Sequence, residues 1–194
     1  MSVLKSAIIA VASLLLCAGC SGHTGQVSLA MSAHTGQAVV VTGFRMNGRE
    51  NPLTPMVVEG MADTMRPHEG ASRMVLGLAG GASGRIALEM EWVELSTGHA
   101  YRASVSVPIG DLERSASGGV EMMPVFAPGG EVVIASDPLP QSEADRSYRD
   151  VARTCGQRWP QADHDYRATP RELAGLYEAI EHLGPAREIA PCKP

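Results

Sequence analysis

The 194-residue sequence lacks most of the patterns by which catalysis is recognised. It has no nucleophile elbow of the G-x-S-x-G type, because Gly81-Ala82-Ser83-Gly84 is followed by Arg85 where a glycine is required. His-Glu-x-x-His is absent and the six histidines are scattered, which removes the helical zinc-protease pattern. The glycine run at Gly80-Gly81-Ala82-Ser83-Gly84 has no Lys-Ser/Thr behind it and leads into a strand, so it reads as an inter-strand turn and not a phosphate loop. Basic residues form no cluster, which leaves no electrostatic footprint for nucleic acid. Beyond the N-terminal apolar run, no segment is long enough to span a bilayer.

What the chain does have begins at its N-terminus. Lys5 precedes an apolar run over residues 7–16, followed by Cys17-Ala18-Gly19-Cys20-Ser21-Gly22. A charged start, about ten apolar residues and a small-residue cleavage site are the marks of a secretory signal. The stretch resembles the lipobox of bacterial lipoproteins. That resemblance implies cleavage after Gly19, with residues 1–19 removed and Cys20 becoming the lipidated first residue. Cys17 departs from the pattern, standing where leucine is usual. The implied location is the cell envelope, facing the periplasm, and the non-acidic Ser21 favours the outer membrane. Attachment is expected through the diacylglycerol and acyl chain on Cys20, each buried methylene contributing ~0.8 kcal/mol. No other cofactor and no metal site are expected.

Removing residues 1–19 leaves 175 residues, enough for one compact domain. One lysine and no acid leave with them, so 15 basic face 21 acidic residues, a formal charge of −6. Cys17 departs with the signal and Cys20 is taken by lipid. Cys155 and Cys192 remain as an even pair in an oxidising compartment and are expected to form a disulfide. Closing that loop is worth about 3–4 kcal/mol in the chain-entropy picture. A metal site would need more ligands at short spacing.

Residues 20–37, rich in Ser, Gly, Ala, Thr and His, read as the lipidated cysteine and a flexible tether. Residues 38–137 then carry short β-type runs punctuated by Gly and Pro. Residues 86–95 and 100–109 alternate apolar and polar at period two, and a tight turn at Thr97-Gly98 predicts Trp92 opposite Ala103. A second hairpin is predicted around Ala127-Pro128-Gly129-Gly130, with Pro124 placing its strand at an edge or bulge. Residues 138–194 are expected to form a helical extension. One helix carries Ala144, Tyr148, Val151, Ala152 and Cys155 on one face behind the capping pair Ser142 and Asp145. A second of 14 residues runs from Thr169-Pro170 to Gly184. The expected class is α+β, mainly β: an antiparallel sandwich or small barrel followed by two C-terminal helices tied by the disulfide.

The densest polar cluster is Asp163-His164-Asp165-Tyr166, preceded by Trp159. A base oriented by a carboxylate still needs a nucleophile, and the nearby Cys155 is expected to be oxidised, so the cluster reads as a surface loop. Glu178 and His182 lie at i,i+4 without a third ligand and read as solvated surface. Met61, Met65, Met122 and Met123 suit either an adaptable recognition surface or core filling. No enzyme is expected.

The order of anchor, tether, alternating strands with Trp92, then Phe126-Ala127-Pro128-Gly129-Gly130-Glu131-Val132-Val133, resembles small lipoproteins associated with type VI secreted lipase effectors. The resemblance spans residues 38–137 and implies an immunity protein that occludes its toxin, without assigning any binding residue. The acidic mature charge is compatible with steering towards a basic partner. The alternative is a structural or assembly lipoprotein of the envelope, or a carrier of an apolar ligand.

Overall fold

In the computed structural model residues 25–34, 36–59, 73–77, 84–114, 119–136, 149–183 and 189–193 are described. Cys20 and the export signal, Met61, Met65, most of the Gly80–Gly84 run and the pair Ser142 and Asp145 lie outside them. The first strands in the chain are β1 (Gln26–Ala30), β2 (Ser32–Ala33), β3 (Ala38–Met46), β4 (Arg49–Glu50), β5 (Met56–Glu59) and β6 (Arg73–Gly77). They are followed by β7 (Arg85–Glu94), β8 (Ala100–Pro108), β9 (Val120–Ala127), β10 (Glu131–Ser136), β11 (Arg149–Cys155), β12 (Gln157–Arg158) and one helix, α1 (Leu176–His182). They build two six-stranded sheets. The first runs β11-β10-β9-β1-β6, with β2 beside β9, and the second β12-β8-β7-β3-β4, with β5 beside β3. Neither closes into a barrel.

The period-two pattern of β7 explains where the core sits. Ile86, Leu88, Met90 and Trp92 are buried and meet Val27, Leu29, Val120, Met122 and Phe126 of the other sheet in one apolar cluster. From Trp92 onwards the strand is buried on both faces. Val93 and Leu95, with Ala38, Val40 and Ala100, pack on that outer face against Trp159, Tyr166, Leu176 and Ala179 of the C-terminal segment.

Trp92 pairs with Tyr101, Met90 with Ala103 and Leu88 with Val105, two residues away from the predicted register. The connection is a longer loop in which the Glu94 amide donates to the His99 carbonyl at 3.0 Å and Gly98 takes φ 71°. A slip of two leaves every side chain on its expected face, which is why the pattern alone did not separate the registers. Glu91 accordingly lies directly opposite Arg102.

Several expectations are corrected. The tether assignment fails from Gln26 onwards: Val27 and Leu29 are fully buried, and β1 pairs with β9 in parallel and β6 antiparallel. The first sheet is therefore mixed and not purely antiparallel. Pro124 sits in an interior strand. Its neighbour is interrupted instead, since β1 pairs with β9 as far as Met122 and β2 resumes at Val125, leaving the break opposite Met123-Pro124. Residues 149–155 form strand β11, which occupies the edge of β10 that a helix would have left unpaired.

The last helix spans seven residues, not fourteen. Thr169 does donate to Glu172 Oε2 at 2.7 Å, but the chain makes turns until Gly175, which adopts φ 76° inside the expected helix. One helix, in place of two, is thus present among the described residues. Cys155 and Cys192 are bonded, with 5.5 Å between their Cα atoms. Met122 and Met123 fill cores. No helix among the described residues is long and apolar enough to cross a membrane.

Candidate functional site

The polar groups singled out in the sequence converge on one end of the molecule, where the loop after β7 meets the chain after β12. That chain is bonded onto the loop and the start of β8. The Trp159 amide donates to the Ala100 carbonyl at 2.9 Å and the His164 amide to Gly98 at 3.1 Å. The Ala100 amide donates to Asp163 Oδ1 and Arg167 Nε to the Leu95 carbonyl, each at 2.8 Å. Between them lies an open cleft of about 460 Å³ lined by residues 95–99, 163–165 and Arg167.

The side chains around this cleft are engaged with one another. Arg158 forks onto Asp163, with Nη1 to Oδ1 at 2.6 Å and Nη2 to Oδ2 at 2.8 Å, and Nη1 also donates to the Ala100 carbonyl. The Arg158 hydrogen bonds hold the Asp163 carboxyl below the usual aspartate range. His164 Nε2 lies 2.9 Å from Glu172 Oε2, and Asp165 Oδ1 accepts the Arg167 amide at 3.1 Å. Hydrogen bonds from Thr169 and then His164 hold Glu172 below its ordinary value. Tyr166 is buried beneath the loop with its ring 4.2 Å from that of His164. The predicted cluster Asp163-His164-Asp165-Tyr166 is therefore brought together with Trp159, as a bonded joint. Glu178 and His182 are both exposed on α1, and His182 Nδ1 lies 3.6 Å from Glu59 Oε2. Among the described residues, no three His, Cys, Asp or Glu side chains stand close enough to hold a metal.

Sequence reasoning missed Glu94, although its position announces it. Two residues beyond Trp92 on an alternating strand, it must point into the core. It is 1% exposed, accepting the Gly130 amide on Oε1 at 2.8 Å and the Thr97 hydroxyl on Oε2 at 3.1 Å. Burial raises its pKa above 4.5, against the opposing effect of those donors. Tyr101 beside it is pushed up to about 12, by burial first and the Glu94 charge second. Its ring stacks on Trp92 at 5.7 Å, and the Arg158 guanidinium lies 5.4 Å from its centroid.

The turn Ala127-Pro128-Gly129-Gly130 is the hub of this end. A Cβ at Gly130 would collide with the Tyr101 ring, and one at Gly129 with the Ala190 carbonyl of the C-terminal tail. The Gly130 carbonyl accepts the Gly156 amide, and the Gly129 carbonyl accepts the Cys192 amide. Comparison with protein-family models, curated proteins and solved structures gives no match.

Proposed function

We propose that this chain is a lipid-anchored protein of the bacterial envelope that works by binding another protein. The observation that carries the reading is the sequence from Lys5 to Gly22, which resembles an export signal with its lipidated residue at Cys20, six residues ahead of the first strand. The engagement of Asp163 by Arg158 and of His164 by Glu172 supports reading this end as a bonded scaffold. The paired sheets with one shared core are read as a sandwich-like binding platform.

Within that class the particular reading is an immunity protein that occludes a secreted lipase-like toxin, resting on the resemblance of residues 38–137. Fractionation of the Cys20→Ser protein tests the class: it should leave the membrane fraction for the periplasm, and retention after high-salt washing would overturn the anchor. Affinity capture with the tagged chain from its own bacterium tests the particular reading. A stoichiometric partner whose lipase or other toxic activity is abolished on binding supports it. Envelope machinery or co-purified lipid alone would replace it with an assembly or carrier role.

A further inference from the structure

The strand registers place the start of β1 and the cleft at opposite ends of the two sheets. Gln26 opens β1, and Val27 pairs with Val120 at the start of β9. That level also holds Glu113, whose carbonyl accepts the Glu121 amide, and Ser136, whose hydroxyl accepts the Glu113 amide. In the second sheet the same end holds Arg85 opposite Pro108, and the Asn47 amide bonded to Ala87. Ile109, Leu112 and Glu113 lead from one sheet to the other there. At the far end Glu94 and Gly130 join the sheets, with the cleft, the disulfide and α1 around them. The nine steps along β7 between these ends span ~30 Å.

We infer that the domain stands upright on the bilayer, with the end containing Gln26, Arg85 and the Asn47 turn against the headgroups and the cleft end presented to the periplasm. The inference rests on the anchor reading. Six residue steps separate Cys20 from Gln26, so the first strand starts at most ~20 Å from the lipidated residue. The surface that meets a periplasmic partner is then the far rim, formed by the loop after β7 and residues 163–167.

The test uses the full chain, processed and lipidated in cells and reconstituted into phosphatidylethanolamine–phosphatidylglycerol vesicles containing a headgroup-spin-labelled lipid. A fluorophore is attached at Arg49→Cys or Glu50→Cys on the near end and at His99→Cys or Glu178→Cys on the far end, all exposed positions. Two sites per end keep the measurement alive if one variant misfolds. Several-fold stronger quenching at the near sites is expected. Equal quenching of vesicle-bound protein at both ends, or stronger quenching at the far sites, would overturn the orientation while leaving the anchor intact. Failure of the protein to float with vesicles would overturn the anchor and the orientation with it.

Discussion

The Gly130 amide donates to Glu94 Oε1 at 2.8 Å, joining the hairpin turn of one sheet to the end of a central strand in the other. This one bond places a carboxyl in the interior where most proteins place an apolar side chain. It also fixes the backbone that holds Tyr101 on one side and the C-terminal tail on the other.

Glu94 makes the fold sensitive to pH in a direction opposite to that of most carboxylates. Its folded pKa is raised above 4.5, so the stability it contributes is full below pH 4.5 and is lost as pH rises through the folded value. Glu94→Gln should retain the acceptor for Gly130 and flatten that dependence. Denaturant melts of both proteins from pH 4 to pH 8 measure it, and identical slopes would contradict it. Glu94→Ala should cost about 1–3 kcal/mol by leaving the Gly130 amide unsatisfied.

Asp163 should act with the opposite sign. Its pKa is held down by Arg158, so its contribution is present above the usual aspartate range and disappears as pH falls through its lowered value. Both partners are about a third exposed, which limits the pair. Asp163→Asn keeps an oxygen for the Ala100 amide and should cost about 1 kcal/mol at pH 7 through the lost charge facing Arg158, and markedly less at pH 3.

Gly130→Ala should be among the most damaging small substitutions, because a methyl group would enter the Tyr101 ring and φ is 83°. A loss of about 2–4 kcal/mol is expected in chemical denaturation. Gly129→Ala should be relieved in part when residues 189–194 are deleted, since the obstacle there is the Ala190 carbonyl. Strict additivity of the substitution and the deletion would show that the two do not meet.

Reduction of Cys155–Cys192, or Cys192→Ser, should lower stability by about 3–4 kcal/mol through the 37-residue separation it closes. Limited proteolysis should then cut the tail first, because its described attachment elsewhere is the Cys192 amide on Gly129. Unchanged melting on reduction would contradict this.

Much of the β region was legible because β7 and β8 alternate cleanly, and the hairpin at Gly129-Gly130 carries its own turn chemistry. The inward position of Glu94, which sequence reasoning missed, was implied by the same alternation. What resisted reading depends on contacts distant in sequence. Gln26 to Ala30 is too short and too polar at Gln26 and Ser28 to announce a strand, and it becomes one because β6 and β9 flank it. Val151, Ala152 and Cys155 fit a helical stripe equally well, and the open edge of β10 decided for the strand. The cleft cluster was visible as composition. Its partners were not, since Ala100 and Leu95 lie some 60 to 70 residues earlier.

Between β11 and β12 the chain leaves one sheet at Cys155 and joins the other at Gln157, with only Gly156 between them pressed on the Trp92 ring. That crossing works as a mechanical strap. A force tending to slide one sheet over the other is carried by covalent backbone as well as by side-chain contacts, so the sheets cannot separate as independent subunits. Amide exchange from Ile134 in the first sheet and Met90 in the second should consequently proceed by one shared opening, at one common free energy.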